Sequence, residues 1–173
     1  MKLLPPFFLF ILVLAACETT TFEGFKYESF DNDFSIYFAD EPEVSVETIE
    51  TEVGDITLTS IIYETSDDKA YMVAYSDYPP GFMDMVEGIE LMEGGMRGAL
   101  SSLNIKVPQK KKKIEKENVQ GIYFFGSNEQ ENTMVEYEIF IKDNRLYQLA
   151  IMGLLSDYKP NADKNFFKSF KFN

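Results

Sequence analysis

Met134-Val-Glu-Tyr-Glu-Ile-Phe-Ile-Lys142 and Arg145-Leu-Tyr-Gln-Leu-Ala-Ile-Met152 are two alternating segments separated only by Asp143-Asn144. In the first, Val135, Tyr137, Ile139 and Ile141 share one face, with Glu136 and Glu138 on the other. In the second, Tyr147, Leu149 and Ile151 alternate in the same way. A period of two is the signature of a strand. Asp and Asn both tolerate the positive φ that a two-residue primed turn demands. The stretch therefore reads as a β-hairpin and commits the chain to a largely antiparallel sheet.

Working outward, Gly121-Ile-Tyr-Phe-Phe125 is a further strand, joined to the hairpin by a polar turn over 126–132. Towards the N-terminus, Phe34-Ser-Ile-Tyr-Phe38 alternates and is rich in β-formers, then stops at Ala39-Asp40-Glu41-Pro42. Residues 44–51 form a mixed polar strand near an edge, and 71–76 another strand. Residues 56–64 carry Ile56, Leu58 and Ile62 on one face and Thr57, Thr59, Ile61 and Tyr63 on the other. A strand apolar on both sides implies helices above the sheet.

One long helical pattern supplies such cover. Met85, Ile89, Met92, Met96, Ala99 and Leu103 recur at spacings of four and three, a single apolar stripe. Gly88, Gly94, Gly95 and Gly98 lie within it. No G-x-x-x-x-G-K-[ST] is present and no strand precedes the glycines as a dinucleotide fingerprint requires, so close packing on the sheet is the preferred reading. A short helix running from Pro160 through Phe167 closes the chain, with Phe166, Phe167, Phe170 and Phe172 forming an aromatic face to be buried. The expected fold is α+β: a largely antiparallel sheet of about seven to eight strands, with a long mid-chain helix and a short C-terminal helix packed on it.

Ahead of the fold, Met1-Lys2 precedes an apolar run over 3–14 that is shorter than the roughly 20 residues a spanning helix needs. It ends in Leu14-Ala15-Ala16-Cys17. These four residues resemble the lipobox of bacterial lipoproteins at every position. That resemblance implies cleavage before Cys17, with Leu14, Ala15 and Ala16 as the processing signal and Cys17 as the lipid anchor. The expected organisation is a signal peptide over 1–16, a lipidated tether over 17–29 and one α+β domain over 30–173. The protein is expected in the bacterial cell envelope, facing the periplasm or the exterior.

Composition narrows the chemistry. The chain has one Cys and no His, which removes Ser-His-Asp and Cys-His catalysis and the usual zinc and copper ligand sets. Net charge is −13 and becomes −14 once Lys2 leaves with the leader; such a chain lacks the basic footprint of a nucleic-acid binder. The one basic run, Lys110-Lys-Lys-Lys113, reads as a solvated edge strand in preference to a headgroup contact. Asp31-Asn32-Asp33 opens like a calcium loop, but Ile36 and Pro42 occupy the positions that need Gly and Glu. No metal site and no cofactor are expected.

The order strands–helix–strands–helix has three landmarks: Phe34–Phe38 followed by Pro42, the hairpin ending Arg145-Leu-Tyr-Gln-Leu149, and Phe166-Phe-Lys-Ser-Phe170. Together they resemble the PsbP-like superfamily of sandwiches, which includes DcrB-type envelope lipoproteins. The resemblance implies a domain that binds partners or assists assembly without a shared catalytic constellation. The leading expectation is thus a lipid-anchored, non-catalytic module that binds an envelope protein or a small ligand. The alternatives are a hydrolase using acidic residues in a cleft and a carrier of an apolar ligand beside Met85, Met92 or Met96. Tyr78 and Phe82, flanking Pro79-Pro80-Gly81, are the expected exposed aromatic patch for a partner.

Overall fold

Alternation and turn chemistry produce the sheet of the computed structural model, which describes residues 22–31, 33–51, 54–79, 81, 82 and 85–173. The strands are β1 (Phe25–Glu28), β2 (Phe34–Phe38), β3 (Glu43–Thr51), β4 (Gly54–Glu64), β5 (Ala70–Asp77), β6 (Lys110–Lys116), β7 (Val119–Asn128), β8 (Thr133–Lys142), β9 (Arg145–Leu154) and β10 (Lys171–Phe172). Helix α1 (Gly88–Ser102) lies mid-chain, and the short helix α2 (Lys164–Ser169) precedes β10. Seven strands form one antiparallel sheet in the order β3-β4-β5-β9-β8-β7-β6, and β1-β2-β10 form a second. The mostly antiparallel sheet with a long mid-chain helix and a short one near the C-terminus matches the expectation. The strand number is higher, ten among the described residues, because β1 and β10, neither of them expected, flank β2 in a separate small sheet.

The opening hairpin is present as β8 and β9. Lys142 pairs with Arg145 across a two-residue loop in which Asp143 has φ +55°. Its two faces serve two cores. Val135, Tyr137, Ile139 and Leu146 pack with Met92, Met96 and Leu100 of α1. Phe140, Tyr147, Leu149 and Ile151 face the other way, against Phe34 and Ile36 of β2 and Phe166, Phe167 and Phe170 from the C-terminal segment. The layers are therefore α1, the large sheet, and then β1-β2-β10 with α2. The Phe34 and Phe170 rings stack 5.2 Å apart at the centre of the second core.

Arg145 locks that second layer to the sheet. Its Nε and Nη2 donate to the two carboxylate oxygens of Asp77 at 2.6 and 3.0 Å, and Nη1 reaches Asp31 at 2.5 Å and Asp33 at 3.1 Å. Its guanidinium also lies 4.4 Å from the Tyr75 ring centre. One planar, multiply donating group thus spans β5, β9 and the approach to β2.

Several expectations need correction. The tether drawn over 17–29 contains β1, whose register runs from Phe25 opposite Phe38 to Glu28 opposite Ser35. Its polar residues concealed a strand because Phe25, Lys26 and Glu28 remain exposed while only Tyr27 turns inward. Gly24, at φ +114°, brings the chain so close to the Phe38 carbonyl that a Cβ has no room. Helix α1 begins at Gly88, so Met85 lies outside it and is 75% exposed; Leu100 supplies the buried position instead. Of the four glycines, a Cβ on Gly88 or Gly95 would meet Ile141 or Ile139 of the sheet, whereas Gly98 faces open space. Close packing accounts for only some of them. The terminal helix is Lys164–Ser169, later than the expected 160–167. Leu14, Ala15, Ala16 and Cys17 lie outside the described residues.

Candidate functional site

Strand β6 is an edge strand, and alternation splits its lysines between the two faces of the sheet. Lys111 takes the α1 side and pairs with Glu93 at 2.5 Å. Lys110, Lys112 and Lys116 take the opposite side. Pairing through β7 and β8 aligns Lys112, Tyr123 and Glu138 in one row and Lys110, Phe125 and Glu136 in the next. Helix α2 stands beside these rows and adds Lys164, Lys168 and Phe167. The result is a cleft of about 220 Å³ walled by five lysines, with Glu136 and Glu138 among its lining.

The two glutamates sit on the face opposite the hairpin's apolar face, as alternation predicts, but that face is covered. Glu136 is only 9% exposed. Its Oε1 accepts from the Tyr123 hydroxyl at 2.7 Å and from the Tyr158 hydroxyl at 3.1 Å. Tyr158 follows a 3₁₀ turn at Leu155–Asp157 and stacks on Phe125, with ring centres 4.6 Å apart. Burial and the Glu136 carboxylate push Tyr158 up to about 12. The same two causes, burial foremost, hold Tyr123 well above the ordinary phenol value.

Glu138 has a different environment. It accepts no close hydrogen bond: its nearest cation, Lys116 Nζ, lies 3.7 Å from Oε2, and that oxygen is buried without a hydrogen-bond partner. Burial raises the Glu138 carboxyl above its usual value even though Lys116 and Lys112 act the other way. Burial likewise lowers Lys116 despite Glu138. Lys116 also donates to the Phe167 carbonyl of α2. Among the described residues Lys110, Lys112, Lys164 and Lys168 make no salt bridge, and the Lys112 ammonium lies 4.9 Å from the Tyr123 ring centre.

The expected aromatic patch has another role. The Tyr78 and Phe82 rings stack 4.8 Å apart and nearly parallel, and Phe82 is only 8% exposed. Tyr78 packs against the α1 core. Asn144 clasps the segment, its backbone carbonyl accepting from Tyr78 N–H at 3.1 Å and its amide donating to the Pro79 carbonyl at 3.1 Å. The pair is a packing element that seats the β8–β9 turn. Met92 and Met96 are likewise packed in the α1 core, 7% exposed each, though Met96 also lines the open groove beside the end of α1. That groove, of about 660 Å³, runs past Leu100, Ile105 and the 68% exposed Val107.

Sequence reasoning identified the basic run and the Glu136/Glu138 face separately and did not join them. The joining signal is the register of β6, β7 and β8, which brings residues 112, 123 and 138 side by side. No set of three or more carboxylate or thiol groups able to hold a metal ion occurs among the described residues, and none of their helices is long and apolar enough to cross a membrane. Compared with known proteins, the chain matches no family model and no curated protein.

Proposed function

We propose that this chain is a non-catalytic binding module, held at a bacterial cell envelope by a lipid on Cys17, that takes an anionic ligand in the lysine-lined cleft between β6 and α2. The carrying observation is the convergence of five lysines on one cleft in a chain of net charge −13. Among the described residues four of them form no salt bridge, which leaves their field largely available to a ligand. The element order and the buried C-terminal aromatics support a PsbP-like sandwich, and the Leu14–Cys17 motif supports the anchor. A lipid there would fix the domain close to a bilayer, since only the seven residues 18–24 separate Cys17 from β1.

Burial of Glu136 and Glu138 in a cleft is also what a hydrolase would use. Binding is the better reading because both carboxylates project from one strand instead of flanking a scissile bond, and Glu136 is held by two phenol hydroxyls.

Calorimetric titration of inorganic pyrophosphate into the purified protein at low ionic strength tests the cleft. Saturable binding is expected, weakened by salt and abolished by Lys112→Glu with Lys168→Glu. Binding that survives both reversals, or none in the parent protein, refutes the reading. The anchor is tested separately: Cys17→Ser is expected to abolish incorporation of labelled fatty acid, and continued labelling would refute it.

A further inference from the structure

Resting on the cleft reading above, we infer that the ligand is a phosphorylated polyol of headgroup size, its phosphate taken by the lysines and a hydroxyl donated to Glu138. The walls choose the anion. All five cations are lysines, point charges arriving from β6 and α2 that bind phosphate without a bidentate fork. Several ammonium groups around one cleft suit a compact, multiply charged phosphate.

Glu138 chooses the rest. Its carboxylate lines the cleft with 16% of the side chain exposed, and no protein donor comes closer than Lys116 at 3.7 Å. With Oε2 buried beside Lys116 and no protein donor on the carboxylate, its cleft-lining side takes a donor from the ligand. An ammonium would add a second cation beside Lys116 and inside a ring of lysines. A hydroxyl avoids that repulsion and still donates to the carboxylate. Size and surface exclude larger candidates. The volume of about 220 Å³ is below the roughly 300–1,000 Å³ of drug-sized ligand sites. The Tyr123 ring, which could stack a base, already has Lys112 4.9 Å and Lys110 5.9 Å from its centre.

The test is a calorimetric series on the full-length protein with inorganic phosphate, glycerol, glycerol 3-phosphate and phosphoethanolamine. Glycerol 3-phosphate is expected to bind at least about ten-fold tighter than phosphate, the worth of one hydrogen bond to a charged acceptor. It should also bind tighter than phosphoethanolamine, and glycerol alone should give no heat. Glu138→Leu, checked for folding by thermal melt, is expected to erase the glycerol 3-phosphate advantage while leaving phosphate affinity equal or higher. Equal affinities for phosphate and glycerol 3-phosphate, or a preference for phosphoethanolamine, overturn this inference and leave the anionic cleft standing. Absence of binding by any phosphate compound overturns both. Co-flotation of the Cys17→Ser protein with phosphatidylglycerol vesicles separates the sources. Retention displaced by glycerol 3-phosphate supports a lipid headgroup, and soluble binding without retention supports a free ligand. Retention that glycerol 3-phosphate does not displace overturns the inference.

Discussion

Replacing Lys116 and Glu138 together, as Lys116→Met with Glu138→Leu, is expected to leave the protein as stable as the parent or more so. At 3.7 Å and an effective dielectric near 20, the attraction between unit charges is about 4.5 kcal/mol. Against it stands an effective desolvation cost of several kcal/mol for each ion. The side chains are only 18% and 16% exposed, so most of that cost applies. The two terms nearly cancel, with burial ahead, which is why Glu138 is raised and Lys116 lowered. The double variant should therefore fall between parental stability and a gain of about 2 kcal/mol. Each single variant strands one charge and should cost about 1.5–2 kcal/mol, giving a coupling of about 3–6 kcal/mol in the cycle. The pH response has a defined sign. Glu138 has a raised folded value, so its contribution is greatest below the unfolded carboxyl range and declines as pH rises through the folded value. Lys116 has a lowered folded value, so stability gains with pH between that value and the usual lysine range. Urea denaturation of all four proteins across pH measures both effects. A double variant more than about 2 kcal/mol less stable than the parent would mean that attraction exceeds desolvation, and would refute the reasoning.

Two glycines of opposite surroundings should respond oppositely to alanine. Gly98→Ala, in α1 with nothing near its Cβ position, is expected to stabilise by about 1 kcal/mol, or roughly 2–4 °C in a thermal melt. Gly121→Ala drives a methyl into the Phe140 ring and to 2.5 Å from the Ile139 carbonyl; a loss of about 2–3 kcal/mol is expected in urea. Arg145→Lys keeps the charge but loses the fork shared among Asp77, Asp31 and Asp33. Because Asp33 and Asp77 are nearly half exposed, the expected loss is only about 1–2 kcal/mol. Asp31 is held below its usual value because Arg145 and Ser29 outweigh the upward pull of burial. Its contribution is thus present above the unfolded carboxyl value and lost as pH falls through the lower folded one. The acid limb of the parent's stability curve should be flatter in the lysine variant.

The hairpin was legible because residues 134–152 satisfy both strand periodicity and turn chemistry, two local rules that agree. Residues 25–28 were not, because a strand on the outer edge of a three-stranded sheet buries one side chain and leaves no alternation to read. Met85 fits the helical spacing of Ile89 and Met92, yet the helix starts only at Gly88; spacing records a period and not where the backbone adopts it. The cleft illustrates a third limit. Lys112, Tyr123 and Glu138 are each unremarkable in sequence, and they become a site only through a register spanning three strands. Tyr158, which completes the cover of Glu136, comes from a 3₁₀ turn with no periodic signature.

Strand β2 has β1 on one side and β10 on the other, so the first and last strands among the described residues close on the same neighbour. A nascent chain emerging N-terminus first would expose Phe34, Ile36 and Phe38 until Phe170–Phe172 had been synthesised. Completion of that layer is necessarily late, and the long-range pairing makes for slow folding relative to a helical protein of this size. In a chain built this way the aromatic core around β2 stays open until β10 has been made.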